Sequence, residues 1–382
     1  MSSKNKLAII GASYLQLPLI EKAKEMGYET HVFAWAAGDV GEDAADYFYP
    51  ISIVEKEEIL AKCKEIGICG ICSIASDLAM ITVNYVANGL GLVCNSPEAT
   101  KKSTNKNAMR NAFAEGGDPS PKSIHVYDAS DLCGVTLEYP VIVKPLDRSG
   151  SRGITKVETP DGLHNAIEEA KAQGFDKSAM VEEYIRGTEY SVEFISQAGN
   201  HHFLALTRKY TTGAPHFIEV GHLEPAPVSN EALEKVKKVV AHALDTLGIE
   251  NGASHSELKI DENGNIKIVE IGGRMGGDMI GSHLVYYSTG IDFVKNVILV
   301  AIGQDIDLEQ KIQPSNVAVR YVFNQDDYRV YQDILADENV IIIYSQCDDN
   351  LDAEVHDSSE RMGCVVFSCD DIHRIESYMR EG

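Results

Sequence analysis

Positive charge is in short supply in this 382-residue chain. Its 34 lysines and arginines face 58 aspartates and glutamates, for a formal net charge of −24. That surplus argues against nucleic acid or an anionic membrane as a main partner, because both are polyanions. A local basic site for a small anion stays open. Long apolar runs are also missing, and no stretch is long and apolar enough to span a bilayer. "LAIIGASYLQLPLI" after Lys4 and Lys6 begins as a signal peptide would. However, Gln16 and Pro18 interrupt it, and the charged "EKAKEMG" follows without a small-residue cleavage pattern. A first strand and helix are expected there instead. Cysteines are few and scattered, at 63, 69, 72, 94, 133, 347, 364 and 369, which suggests reduced thiols and a cytoplasmic location rather than a disulfide framework. The CxxC at Cys69–Cys72 lies in the apolar run "GICGICSI", where strand residues i and i+3 point to opposite faces. No second pair stands at zinc-like spacing, so buried small hydrophobes are expected. Neither an internal repeat nor a low-complexity linker interrupts the chain.

What is present is the composition of a soluble globular protein, 44% hydrophobic and 24% charged, at a length that suits two or three domains. From residue 5 to about 100, short apolar runs ("KLAIIGAS", "ETHVFAW", "ICGICSIAS") alternate with helical stretches, which predicts a parallel sheet flanked by helices. "GASYLQLP" stands where a dinucleotide fingerprint would, but with one glycine GxGxxG is not met. A Rossmann-like domain without its own nucleotide is expected, with strand ends that can still shape a substrate pocket. "TNKNAMRNAFAEGG" reads as a helix ended by glycine. Strand signals then recur through "YPVIVKP", "ITKVE", "AMVEEYI", "EYSVEFIS" and "HHFLALTRKY", with helices at 162–173 and 230–247. This predicts an α+β domain ending near residue 305. "NVAVRYVFN", "VIIIYSQ" and "GCVVFSC" form a strand-rich tail.

"ASHSELKIDENGNIKIVEIGGRMGGD" (253–278) carries the most information. Two alternating runs flank Asn263-Gly264, a strong hairpin signal. A two-residue turn there sets Glu257 opposite Glu270. Leu258, Ile260, Val269 and Ile271 then share the core face, and His255, Glu257, Lys259, Glu270 and Gly272 the other. Facing carboxylates repel, and a divalent oxygen-seeking cation turns that repulsion into a site. The bland alternative is a solvated face neutralised by Lys259. Just beyond, Arg274 stands among four glycines, which let backbone approach a ligand while arginine forks onto carboxylate or phosphoryl oxygens. Upstream, Lys144 ends an apolar strand, and an ammonium in such a place needs an anion. The loop "DRSGSRG" behind it can lay N–H groups and hydroxyls over phosphates as a lid. No GK[ST] follows, so it is not a Walker loop.

In order, "NKNAMR", "VIVKP", the Gly/Ser loop, "VEEYIRGTEYSVE", "HSELK" and "VEIGGR" resemble the ATP-grasp ligases, in which two α+β subdomains close over ATP. The resemblance spans residue 5 to about 305. It implies an α/β and α+β architecture: a Rossmann-like parallel-sheet domain (1–102), an ATP-grasp domain (103–308, lid subdomain about 115–187) and a small strand-rich C-terminal domain (309–382). Lys106 and Lys144 would contact ATP phosphates, Lys144 also taking part in catalysis, with Ser149, Gly150, Ser151 and Gly153 in the lid. Glu182 and the backbone of Glu183, Tyr184 and Ile185 would meet adenine, and Glu189 ribose. Glu257 and Glu270 would hold magnesium, with manganese as an alternative. Arg274 would stabilise the transferring phosphoryl group or hold the substrate carboxylate. Arg208, Lys209, His216, His255, Gly276 and Gly277 are candidates for the substrate pocket. Many members carry asparagine two residues after the second metal glutamate; here that position is Gly272, where water could supply the missing oxygen. "EIGGRMGGD" looks most like the L-amino-acid ligase branch, and "EVGHLEPAPV" (219–228) is similar to a substrate-side segment there. The family suggests a homodimer.

The activity implied is ATP-dependent joining of a small-molecule carboxylate to an amine through an acyl phosphate. Two other readings keep the ATP site. One is a purine-synthesis or biotin-carboxylase type of enzyme, although no biotinyl-lysine "MKM" is present. The other is an ATP-binding module without turnover.

Overall fold

The computed structural model describes residues 5–146, 153–213, 218–348 and 361–379, and every count below refers to these. The alternation at the N-terminus folds as expected. Strands β1 (Lys6–Ile10), β2 (Glu29–Phe33), β3 (Tyr47–Tyr49) and β4 (Gly70–Cys72) form a parallel sheet in the order β3-β2-β1-β4. Both faces are covered, so β1, β2 and β4 are buried almost throughout. The helix Asp77–Leu90 leaves the C-terminal end of β4, its first turn capped by the Ser76 hydroxyl accepting from the Ala79 N–H. Cys72 is buried, and all eight cysteines are free thiols.

A second, antiparallel sheet follows the helix Lys106–Gly116, which Asn105 caps at its start and Gly117 ends. Its strands β5 (Ser123–Val126), β6 (Val141–Pro145), β7 (Thr155–Val157) and β8 (Ala179–Glu183) run in the order β5-β8-β6-β7. The helix Leu163–Gln173 packs its apolar stripe (Ala166, Ile167, Ala170) on this sheet.

The third sheet has eight strands: β9 (Thr188–Gln197), β10 (Asn200–Thr211), β11 (Glu219–Glu224), β12 (Gly252–Ile260), β13 (Ile266–Gly272), β14 (Asn316–Val322), β15 (Ile341–Cys347) and β16 (Gly363–Cys369). They are ordered β13-β12-β9-β10-β11-β14-β16-β15. The C-terminal strands therefore extend the central sheet through β11–β14 pairing. Helix Asn230–Leu247 buries Val236, Val240, Ala243, Leu244 and Leu247 on one face of it. Helix Phe293–Ala301, buried along most of its length, packs between the other face and the N-terminal domain. Asn95 fastens that junction, donating to the Asn251 carbonyl (2.7 Å) and accepting from the Glu250 and Asn251 N–H groups (2.9 Å each). Among the described residues, no single helix is long and apolar enough to cross a membrane.

The hairpin β12–β13 departs from expectation in two ways that cancel. The connection is a three-residue loop, Glu262-Asn263-Gly264, closed by Asp261 N–H to Asn265 O at 3.0 Å. Gly264 takes φ +74°, and the Asp261 carboxylate accepts from the Asn263 and Asn265 N–H groups. Asp261 thereby organises a wider turn than Asn-Gly alone prefers. A bulge between Glu257 and Leu258 then absorbs one residue of β13, so Leu258 faces Ile268 while Glu257 still faces Glu270. Consequently Ile266 and Ile268 join Leu258 and Ile271 in the core. Val269, expected in that core, instead borders the cavity.

Candidate active site

The three sheets meet around a cavity of about 710 Å³. Each sheet delivers charge to it. From the eight-stranded sheet come the side chains that alternation placed together: His255, Glu257, Lys259, Glu270 and Gly272 all line it. The four-stranded antiparallel sheet and the segment after it supply Lys144, Glu182, Glu183, Tyr184, Ile185 and Gly153, while Glu189 comes from β9 of the eight-stranded sheet. Lys106, at the first turn of its helix, reaches in from behind β13, and Arg274 and Gly277 come from the glycine-rich turn after it. Of the other expected residues, Ser149, Gly150, Ser151 and His216 lie outside the described residues.

Two expectations are corrected. Arg208 does not face the cavity: on β10 its neighbour Lys209 does, and alternation sends Arg208 to the opposite face. There its guanidinium lies over the Tyr210 ring and 3.6 Å from Glu376. Gly276 likewise stays behind the wall. A Cβ there would come within 2.6 Å of Glu193 Oε1 and 2.8 Å of His255 Nδ1. Gly276→Ala is therefore expected to lower stability by about 1–3 kcal/mol, read from chemical denaturation.

Every cation at the cavity is matched to a carboxylate. Lys106 Nζ stands 2.9 Å from Glu270 Oε1. Lys144 Nζ is 2.6 Å from Glu182 Oε2, whose other oxygen takes Arg110 Nε at 2.8 Å. Burial lowers the Lys144 pKa, against the raising pull of Glu182, and those two cations hold Glu182 ionised despite its own burial. Lys209 is ringed by Glu219 (2.6 Å), Glu257 (2.7 Å) and Glu189 (3.3 Å). Burial would neutralise it, but the three carboxylates push its pKa well above the ordinary lysine value. Glu257 is held well below the usual carboxylate range by Lys209 and by His255, whose Nε2 is 3.6 Å away. His255 in turn bonds Glu193 through Nδ1; against the effect of burial, that carboxylate raises it to about 9.

Sequence reasoning missed several partners. Arg110 had a signal, since it lies four residues after Lys106 and so on the same helical face. Glu219 begins the quoted "EVGHLEPAPV" but received no role. Asp77, Asp278 and Arg361 had none, because their partners are remote in sequence. Arg361 bonds Glu219 (3.2 Å) and Asp278 (2.9 Å) with its guanidinium over the Tyr321 ring at 3.7 Å. Asp278 is raised to about 6 by burial and by Glu219 beside it. His222, fully buried nearby, is lowered to about 3 by burial.

The chain around this cavity of facing carboxylates and paired cations is similar to known proteins. Residues 137–282 match the family model described as "ATP-grasp domain". The chain is 27% identical over 327 residues to alanine–anticapsin ligase of Bacillus subtilis, covering 75% of this chain and 68% of that one. The L-amino acid ligase from Bacillus licheniformis superposes with a TM-score of 0.84 at 23% identity, over 100% of this chain and 97% of its own. The N5-carboxyaminoimidazole synthetase from Staphylococcus aureus, complexed with ADP, gives 0.78 at 16%, over 99% and 97%. Residues 137–282 thus carry the match to an ATP-grasp domain, and the whole chain shares the fold of these ligases.

Proposed function

We propose that this protein is an ATP-dependent carboxylate–amine ligase acting on amino-acid-like substrates. The observation that carries the reading is Glu257 facing Glu270 across the β12–β13 pair, each held by a lysine inside a cavity that also holds Arg274.

The donor set fits a hard divalent cation. Two carboxylates offer oxygen ligands, and magnesium fills its remaining positions with waters and phosphate oxygens. Manganese suits the same donors. Gly272 contributes no side-chain oxygen. Once bound, the ion would neutralise charge on the transferring phosphoryl group. Glu257 and Glu270 would hold it, with Lys106 beside Glu270 as a cation for phosphate oxygens, while Lys209 stays tied to Glu219 and Glu189. Lys144, on its strand beside Glu182, adds a second cation on the phosphate side. Backbone groups of Glu183, Tyr184 and Ile185 border the cavity where adenine would lie, with Glu189 for ribose. Catalysis of this kind consists of positioning and charge neutralisation.

In the first step a carboxylate oxygen attacks the γ-phosphorus, and the bond to the β-bridging oxygen breaks, releasing ADP. In the second, the amine attacks the carbonyl carbon of the acyl phosphate. The C–O bond breaks and phosphate leaves, carrying one former carboxylate oxygen and a proton from the nitrogen. Arg274 would hold the charge that builds between these steps. Glu219, Asp278 and Asp77 border the cavity but are paired with Lys209, Arg361 and Arg274, so the amino-acid-like substrate class is supported instead by the likeness to alanine–anticapsin ligase and L-amino acid ligase.

Phosphate release from ATP with magnesium, screened against single and paired amino acids, tests this. The expected result is release that requires a particular pair and yields one amide. Silence across the panel from protein that binds ATP would contradict it.

A further inference from the structure

Arg274 is held by a residue from a different domain. Its Nε and Nη2 donate to the two carboxylate oxygens of Asp77, both at 3.1 Å, across 197 positions of sequence. Nη1 donates to the Met275 carbonyl at 3.3 Å. A guanidinium has five N–H donors. Three are spent on holding, two of them along the Nε/Nη2 side that faces Asp77. The two that remain, one on each Nη, form the end-on fork that grips carboxylate or phosphoryl oxygens. Asp77 thus fixes the group without occupying its working edge.

The local structure is built around this contact. Asp77 opens the helix Asp77–Leu90 at the C-terminal end of β4, where an open parallel sheet presents ligand-facing groups. The same junction is tied by the Ala75 N–H donating to the Met275 carbonyl at 3.2 Å. On the other side, a Cβ at position 272 would fall 2.6 Å from Asp77 Oδ1 and 3.2 Å from Arg274 Nε. The glycine leaves room for the pair.

We infer that Asp77 is a positioning residue that orients Arg274 for phosphoryl transfer, and that Gly272 is required because any side chain there would displace it. The N-terminal domain, which has no nucleotide fingerprint, then earns its place by completing the site. This rests on the ligase reading and on Arg274 as the group that meets the transferring charge.

The test is a cycle of variants in the full-length protein: Asp77→Ala, Asp77→Asn, Arg274→Ala and the double Asp77→Ala/Arg274→Ala. Misaiming a catalytic group costs on the order of 100-fold. Asp77→Ala should lower kcat by that much with KM for ATP little changed, and Asp77→Asn by less, since an amide keeps one side of the fork. In the Arg274→Ala background, removing Asp77 should add no further loss. Gly272→Ala should reproduce the Asp77→Ala defect, and the two together should be no worse than either. Thermal unfolding of each variant separates misplacement from loss of fold. Unchanged kcat in Asp77→Ala, or losses that multiply in the double variant, would overturn the proposal. Should the wild type turn over no amino-acid pair, the ligase reading falls and the positioning role is read otherwise. The Arg274 Nε–H resonance, identified by its loss in Arg274→Lys, is expected to exchange slowly in wild type and to broaden in Asp77→Ala. A resonance unaltered in Asp77→Ala would overturn it.

Discussion

Glu270→Gln is expected to cut magnesium-dependent phosphate release by at least about 100-fold, the upper range for disturbing even an outer-shell metal partner. The substitution is nearly isosteric, and the amide oxygen can still accept from Lys106, now 2.9 Å from Glu270. Packing and the hydrogen bond therefore survive while the charge is lost. The apparent magnesium requirement should rise with the fall in rate, because the site keeps only Glu257 as an anionic ligand. Glu98→Gln serves as the control: that carboxylate lies off the cavity, is 77% exposed and pairs with Lys102 at 2.9 Å. A magnesium titration of both variants checks this. Turnover of Glu270→Gln unchanged at ordinary magnesium would show the metal assignment to be wrong.

The second large effect falls on stability. Arg110→Met is expected to destabilise the fold by about 3–5 kcal/mol, the usual cost of removing one partner from a buried ion pair. Arg110 and Glu182 have side chains only 3% and 4% exposed, and Arg110 also donates to the Val269 carbonyl at 2.6 Å, holding the bulge that sets Glu257 against Glu270. Lys144 alone would then neutralise Glu182. By contrast, Arg329 pairs with Asp326 in the open, with side chains 73% and 86% exposed, and Arg329→Ala should be nearly neutral. Urea unfolding of the two variants makes the comparison, and equal losses would mean that the Glu182 cluster contributes no more than a surface pair.

The strand and helix rhythm of the chain was legible because period-2 and period-3.6 patterns are local, and the same patterns brought His255, Glu257, Lys259 and Glu270 to one wall. The facing glutamates were reached through an incomplete account. Asn-Gly suggested a two-residue turn, whereas Asp261 builds a three-residue loop and the bulge at Val269 restores the register. A bulge has no sequence signature as strong as a turn, so Val269 was assigned to the wrong face. Arg208 and Lys209 are adjacent, and choosing between them required the phase of β10, which only its pairing to β9 and β11 fixes. Asp77, which holds Arg274, comes from the N-terminal domain, and Arg361, one of the partners of Glu219, from the last described segment. No local pattern links residues so far apart, and Asp77 and Arg361 emerge only when the sheets are placed together.

In the proposed route a carboxylate oxygen of the substrate passes to phosphate. With the carboxylate labelled in oxygen-18 and the productive amine present, mass spectrometry of the released phosphate measures this directly. One labelled oxygen per phosphate, in step with amide formation, is the predicted result. Unlabelled phosphate released alongside the same amide would contradict the acyl-phosphate route.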